Sequence, residues 1–393
     1  MTTAADLPVL VRDLIEQHPP ATTDRTTFLR ARYDAGLAWV GRPVGRGGLD
    51  LTPADQLVVD AMLAEAGAPD NDPSANAIGL GMAAPTMLRY GTDEQLDRLL
   101  RPLWTGEQIW CQLFSEPGAG SDLANVSTSA RLDGDTWVVD GQKVWTSGAQ
   151  NASLAILVAR TDPSAFKHAG LTYFLCPMDD PGVEVRPLRQ ITGEAEFNEV
   201  FLTGVRVPEA NRLGAVGQGW EVANATLNNE RVAIGGAESI RESGMIGVVA
   251  QTWRDHPERR LPGLHDRLLR LWIDAEVARL ASDRVRARPA GTPPGPGDSA
   301  AKVRFATTAQ ELSGLEVELL GGDGLRYDDW TMRRPQRVSF TGRDAGYRYL
   351  RAKGNSIEGG TTEVLLNLIG ERVLGLPPDH RPDKGVPWNE SPR

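Results

Sequence analysis

The chain has 393 residues, 40% of them apolar, and a formal net charge of −10. This length exceeds what one compact core usually holds, so two or three domains are expected, and the apolar content excludes global disorder. The acidic balance argues against general nucleic-acid binding, which needs a net basic face. The two cysteines, Cys111 and Cys176, lack the spacing of a disulfide framework or a metal site, and we expect both to be small core residues.

The N-terminal region predicts helices. Apolar residues recur at helical spacing in four segments, 5–17, 25–37, 53–66 and 93–104. The first residues do not form a basic segment followed by an apolar run, and no apolar stretch is long enough to span a bilayer. The sequence therefore predicts a cytoplasmic protein without membrane insertion.

From about residue 111 the pattern becomes that of strands. Short runs rich in β-branched and aromatic residues alternate with Gly, Asp and Pro turns, as at 136–139, 155–158, 171–175 and 199–202. The pairs Asp133-Gly134 and Asp140-Gly141 are turn formers, so two hairpins are predicted. The spacing favours an antiparallel sheet or barrel over alternating strands and helices.

Helical spacing returns at about residue 219 and continues to about 374, with a proline- and glycine-rich linker at 289–297. The predicted fold is α+β and mostly α. Its parts are an N-terminal helical domain at 1–110, a middle β domain at 111–217, a C-terminal helical bundle at 218–376 and a loose tail at 377–393.

Two stretches at the start of the β region could hold a ligand. The segment 114–122, Phe-Ser-Glu-Pro-Gly-Ala-Gly-Ser-Asp, has glycines that free the backbone and hydroxyls that can bond. The segment 140–148 ends a strand with Trp145, followed by Thr146 and Ser147, which places an aromatic plate beside hydroxyl groups. By composition alone, an ordinary turn and a core tryptophan explain these features as well.

Together the two stretches resemble the flavin-binding signatures of the acyl-CoA dehydrogenases. Segment 319–325 resembles the family's Gly-Gly turn, and segment 356–363 resembles its C-terminal active-site segment. The resemblance implies the family's helix–strand–helix fold and bound FAD. The FAD contacts that it implies are Phe114, Ser115, Gly120, Ser121, Trp145, Ser147, Gly321, Gly322, Thr361 and Glu363.

The resemblance also implies the chemistry. In this family a glutamate removes the α-proton of an acyl thioester while the β-hydrogen leaves as hydride to flavin N5. Many members carry that glutamate before a Gly-Thr pair, but here Gly359 holds the position. Other members carry it on a helix just before an arginine, and there Glu230 matches. The implied substrate contacts are Ser121, Arg231 and Gly359.

The residues around Glu230 agree with a buried role. Leu227, Glu230 and Ile234 lie on one helical stripe. Desolvating a carboxylate is costly and needs a reason. Catalysis is one such reason, and a structural ion pair with Arg231 or another arginine is the alternative.

Several alternatives concern the partners. Segment 255–263 lacks the family's Arg-x-x-Phe motif, whose arginine binds the FAD pyrophosphate of a neighbouring subunit. The family implies acyl-CoA and an electron-transfer flavoprotein as partners, in a homo-oligomer or an α₂β₂ heterotetramer. An acyl-carrier-protein dehydrogenase, a flavin oxidase or monooxygenase, and a subunit that only completes a partner's site remain open.

Overall fold

The computed structural model describes residues 2–235, 240–286, 296–335 and 339–391, with only the backbone described at 230–235, 285–286 and 296–298. The order of elements is helices, strands and helices, which confirms the predicted α+β fold. In these ranges no helix is long and apolar enough to cross a membrane.

The N-terminal region contains five α-helices. They are α1 (Leu7–Gln17), α2 (Arg25–Asp34), α3 (Gln56–Glu65), α4 (Ala84–Tyr90) and α5 (Asp93–Trp104). Side chains cap two of them, because Asp24 accepts a hydrogen bond from the backbone N–H of Thr27 and Thr92 accepts one from that of Gln95. A five-residue π-helical turn, Gly79–Ala83, leads directly into α4.

The middle region is one sheet of eight strands. They are β1 (Trp110–Leu113), β2 (Ser129–Asp133), β3 (Thr136–Ser147), β4 (Leu154–Arg160), β5 (Leu171–Pro177), β6 (Val183–Leu188), β7 (Phe197–Pro208) and β8 (Arg212–Leu213). The strand order is β6-β7-β3-β2-β4-β5-β8, with β1 paired to β4. The sheet is mixed rather than antiparallel throughout, because β1 and β2 both run parallel to β4. Both cysteines are buried in its core, as expected.

One of the two predicted hairpins is confirmed. Asp133 pairs with Thr136 across a turn in which Gly134 has φ +66°. The hairpin at Asp140-Gly141 is wrong, because this pair lies inside β3 at an irregularity in its pairing with β7. A Cβ on Gly141 would lie 2.3 Å from Thr128 Oγ1, so the glycine is needed for close approach and not for a turn.

The C-terminal region is a bundle around one central helix. The helices are α6 (Gly219–Gly235), α7 (Met245–Asp255), α8 (Pro262–Arg286), α9 (Pro296–Leu320), α10 (Ala345–Ala352) and α11 (Thr362–Arg372). Helix α9 contacts the other five. Its buried Leu312, Leu315 and Leu319 pack against Ile246 and Leu271. Most of the linker predicted at 289–297 lies outside the described residues.

The end of the chain differs from the prediction of a loose tail. Trp388 is only 9% exposed, and its Nε1 donates a hydrogen bond to Asn125 Oδ1 at 2.7 Å. The backbone N–H of Trp388 also donates to the carbonyl of Ala165. A proline-rich, polar composition suggested a free end, but one large aromatic side chain supplies enough apolar surface to dock it on the β region.

Candidate active site

The backbone at Trp145 is unusual and directs its side chain outward. Trp145 has φ +62°, a left-handed conformation that a non-glycine residue rarely adopts. It lies where the β3–β7 pairing shifts between Lys143 and Thr146, as in a β-bulge. The indole is 56% exposed and meets Phe197 edge-on, with ring centroids 5.8 Å apart. The sheet thus presents a flat aromatic surface, at a cost in backbone strain that is typical of functional sites.

The predicted ligand loop, 114–122, runs beside this bulge. The backbone N–H of Val144 donates to the carbonyl of Ser115 at 2.9 Å. Gly120 and Ser121 are exposed, and a Cβ on Gly120 would meet nothing within 4 Å. Phe114 differs, because its ring is 2% exposed and belongs to the core. Only the backbone of Phe114 is therefore available to a ligand at this loop.

A buried ion pair anchors the loop to β3. Lys143 Nζ lies 2.9 Å from Glu116 Oε1 and donates to two carbonyls, those of Phe114 and Val158. Glu116 also accepts from the backbone N–H groups of Ser127 and Thr128. Burial acts to raise the pKa of Glu116, but Lys143 and these donors outweigh it and lower the pKa to about 2. The loop is thus fixed by a fully paired, charged carboxylate.

Helix α6 is connected to the same loop through Tyr173. The Phe114 and Tyr173 rings pack edge-on at 5.8 Å, and the Tyr173 hydroxyl lies 3.0 Å from Thr226 Oγ1 on α6. Thr226 also lies 3.0 Å from Thr86 Oγ1 on α4. Thr226 is one helical turn before Glu230. The backbone of Glu230 and Arg231 belongs to α6, but their side chains lie outside the described residues.

The C-terminal segment approaches the bulge from the bundle. Arg351 donates to both carboxylate oxygens of Glu358, at 3.1 and 2.9 Å, and its Nε lies 4.0 Å from Glu196 Oε1. The carbonyl of Glu196 accepts from the backbone N–H of Gly148, just beyond β3. These contacts connect Glu358, through Arg351 and Glu196, to Gly148, which is three residues after Trp145. Glu358 is held by Arg351, which does not leave it free to act as a base.

The turn at Gly359 explains why no glutamate stands there. Gly359 has φ +64° and Gly360 has φ +95°, both in the region that favours glycine. Thr361 follows as the cap of α11 and accepts from the backbone N–H of Val364, while Glu363 is exposed in the first turn. The Gly360 carbonyl accepts from Lys302 Nζ at 2.6 Å. The backbone of this turn is therefore fixed against the start of α9.

The Gly-Gly turn is not brought to the same place. Gly321, with φ +57°, follows the end of α9, whereas Lys302 holds Gly360 near its start. From Lys302 to Gly321 the chain advances 19 residues along the helix, a distance of about 28 Å. At the turn, Arg259 donates to Asp323 Oδ2 at 2.8 Å and to the carbonyl of Leu319. The sequence offered no alignment for the arginines of 255–263, so this position of Arg259 was missed.

The residues around Trp145 fit a flat cofactor with polar edges. Thr146 Oγ1 is buried and has no hydrogen-bond partner among the described residues, which is uncommon for a buried hydroxyl. Ser147 is half-buried next to it, and Gly120 and Ser121 are exposed on the loop. An isoalloxazine ring resting on Trp145 would find hydroxyl and backbone donors along its edge.

The fold and these segments were compared with known protein families. The model of the acyl-CoA dehydrogenase middle domain matches residues 111–205, and that of the C-terminal domain matches residues 217–374. The acyl-CoA dehydrogenase IpdE1 of Mycobacterium tuberculosis is 38% identical over 357 residues, which cover 91% of this chain and 89% of the relative. The chain therefore belongs to the acyl-CoA dehydrogenase family of oxidoreductases, and the predicted resemblance is confirmed.

Two solved structures share the fold over nearly the whole chain. The Tcur3481–Tcur3483 steroid acyl-CoA dehydrogenase superposes with a TM-score of 0.70 at 26% identity, covering 96% of this chain and 99% of the other. The ChsE4–ChsE5 complex from Mycobacterium tuberculosis superposes with a TM-score of 0.68 at 28% identity, covering 96% of this chain and all of the other. The second of these structures is described as a complex of ChsE4 and ChsE5.

Proposed function

We propose that this chain binds FAD against Trp145 and oxidises the Cα–Cβ bond of an acyl-CoA thioester, with Glu230 as the base. The observation that carries the proposal is the outward-facing indole at the β3 bulge. The ligand loop lies next to this bulge, and Phe114, Tyr173 and Thr226 connect the loop to the helix of Glu230. FAD, when bound, supplies the acceptor for the β-hydride.

The chain's own residues would act on the thioester. Glu230 would take the α-proton at its carboxylate, and the backbone N–H of Gly359 would donate to the thioester oxygen, where negative charge develops. Arg351 holds Glu358 and thereby fixes the turn that carries this N–H. Ser121 would contact the substrate from the loop, and Arg231 would orient CoA or the base. Ser115, Ser147, Thr361 and Glu363 would contact the flavin.

The substrate class that we propose is a bulky, ring-containing acyl-CoA. The support is the similarity to a solved steroid acyl-CoA dehydrogenase over 96% of this chain. The purified protein should be yellow and should bleach anaerobically on addition of a steroid side-chain acyl-CoA. The same bleaching assay with a linear acyl-CoA tests the acyl group that the protein prefers. The assay with the matching acyl-carrier-protein thioester tests whether the carrier is CoA. Turnover that consumes oxygen without an electron-transfer flavoprotein would instead indicate an oxidase.

Trp145→Ala is expected to lower the flavin content. The variant loses the aromatic plate while the loop anchor at Glu116 and Lys143 stays intact. Stacking on an aromatic ring is worth about 1 kcal/mol or more, so FAD affinity should fall at least about fivefold. FAD retention is measured as the ratio of absorbance at the flavin band to that of the protein during dialysis. Trp330→Ala, at an exposed stacked tryptophan, is the matched control; equal FAD retention by both variants would refute the cofactor position.

We also propose that the chain works as an oligomer with a second, related subunit. The Gly-Gly turn lies about 28 Å along α9 from the turn at Gly360. A neighbouring subunit's FAD is therefore the better ligand for Gly321 and Gly322. The outer face of helix α8 is a suitable surface for contact with that neighbouring subunit. Its buried face packs inside the bundle, and its outer face carries a half-exposed apolar stripe formed by Leu269, Ile273, Val277 and Leu280.

Ile273→Glu is expected to break that assembly. It places a charge in the middle of the apolar stripe, and desolvating an unpaired carboxylate in an interface is costly. Sedimentation should show a shift from oligomer to single chains, together with loss of FAD. Thr307→Glu, at an exposed position on α9, serves as the control. If the wild-type chain is itself monomeric and colourless, co-expression with a related subunit becomes the test of the heteromeric form.

A further inference from the structure

The C-terminal strap, residues 383–391, packs on two loops at the edge of the candidate site. One is residues 121–125, which include the last two residues of the ligand loop, and the other connects β4 and β5. The backbone N–H groups of Trp388 and Asn389 donate to the carbonyls of Ala165 and Pro163, at 3.0 and 3.1 Å. These backbone bonds fix the strap along the second loop. Its side chains are then free to reach the ligand loop.

Arg160 links the strap to residues 124–126, because its N–H edge bonds their backbone while one face of its plane lies against the strap. It is 3% exposed, and its guanidinium donates to the carbonyls of Ala124 and Val126 at 2.7 and 3.0 Å. The Trp388 ring covers this guanidinium, with 4.1 Å between Cζ and the ring centroid. Trp388 Nε1 donates to Asn125 Oδ1, three residues after the ligand loop ends. The indole therefore covers the Arg160 side chain, whose hydrogen bonds fix the backbone of residues 124–126.

A second contact lies next to Ser121. Lys167 Nζ bonds Asp122 at 2.7 Å and Asp383 of the strap at 2.8 Å. Asp122 directly follows Ser121, the residue that would contact the substrate. Because one ammonium joins both carboxylates, the strap and the loop are held by a shared cation. The strap is thus joined to Asp122 through Lys167 and to Asn125 directly, on either side of residues 123 and 124.

The strap matters because the exposed part of the loop has few contacts of its own. Upstream, Glu116 is fixed by Lys143, Ser127 and Thr128. Ala119 is 2% exposed and pairs through its backbone with Glu116, so the exposed stretch before Asp122 is Gly120–Ser121, where a Cβ on Gly120 would have no neighbour within 4 Å. On the downstream side Leu123 and Ala124 are buried, and the strap contacts at Asp122 and Asn125 add to this burial in fixing the Gly120–Ser121 peptide.

We propose that Trp388 is a positioning residue, which through Arg160 and Asn125 holds Ser121 in place for the acyl thioester. The proposal rests on the proposed function. It assigns to the end of the chain a part in binding the thioester that its position in the sequence does not suggest.

Trp388→Ala tests this on the full chain with FAD bound, beside Trp388→Phe, which keeps a ring over Arg160 but loses the N–H. We expect faster amide hydrogen exchange over 119–126 and a KM for the acyl-CoA raised about tenfold with kcat less affected. Trp388→Phe should recover much of the KM. Asp383→Asn, which keeps Trp388, should move exchange and KM in the same direction by less.

The two readouts separate the possible failures. Unchanged exchange over 119–126 in Trp388→Ala overturns the proposal, and so does faster exchange with an unchanged KM. If Trp388→Ala does not fold, Asp383→Asn carries the same two outcomes. A wild-type chain that never dehydrogenates an acyl-CoA refutes the proposed function. In that case Ser121 does not bind a thioester, and the role proposed for Trp388 is also refuted. The exchange data still show whether the strap holds the loop.

Discussion

Glu230→Gln is expected to give a yellow protein that no longer bleaches with acyl-CoA. The amide keeps the size of the side chain but cannot take the α-proton, and a positioned base contributes roughly 10²–10⁴-fold. Helix α6 and its contacts through Thr226 remain, so FAD content should be unchanged. Anaerobic stopped-flow absorbance of the flavin band measures the rate.

Glu358→Gln is the matched variant, since Glu358 directly precedes Gly359, the position that carries the base in many relatives. It pairs with Arg351, so its replacement should disturb the turn and lower the rate by less than Glu230→Gln does. Full bleaching by the Glu230 variant together with none by the Glu358 variant would move the base to the C-terminal segment.

Lys143→Met is expected to destabilise the protein strongly. It leaves the Glu116 carboxylate, which is 6% exposed, without its cation, and removing one member of a buried pair costs about 3–5 kcal/mol. The free energy of unfolding in urea measures the loss, and FAD should dissociate because the ligand loop is released. The double variant with Glu116→Gln removes both charges and should recover part of the stability. A loss below about 1 kcal/mol would contradict the role of this anchor.

The same pair sets an acid limit on stability. Because the pKa of Glu116 falls from its ordinary 4.5 to about 2 in the folded state, its contribution is present above 4.5 and is lost as the pH falls toward 2. The double variant lacks this carboxylate, so its unfolding free energy should decline less steeply over that interval. Parallel curves for the two proteins would be evidence against the lowered pKa.

Much of the fold was readable because periodicity and turn residues act locally. The pair Asp133-Gly134 makes its hairpin from its own φ preferences, whereas Asp140-Gly141 has the same composition but is held inside β3 by pairing with β2 and β7, which no local pattern shows. The docking of Trp388 was missed for the same reason, since its partners Asn125 and Arg160 are more than 200 positions away. Sequence predicted where polar groups occur, but long-range packing decides what they touch.

The site residues also divide into features that a local pattern predicts and features that long-range packing decides. Trp145 was predicted from its motif, but its left-handed backbone follows from the bulge between β3 and β7 and could not be read from composition. Phe114 was predicted to contact the flavin, yet its ring packs against Tyr173 because the core behind the loop needs an aromatic side chain. The assignment of Glu230 came from resemblance and remains a prediction.

The length of α9 has a consequence for genetics as well as for chemistry. If the glycine turn at one end of this helix serves a neighbour's cofactor, a damaged turn and a damaged base in one chain spoil two different catalytic centres. Where that neighbour is a second copy of this chain, two inactive mutants, one altered at Gly321 and one at Glu230, would complement each other when mixed and reassembled. In such hybrids some centres would receive an intact turn from one parent and an intact carboxylate from the other.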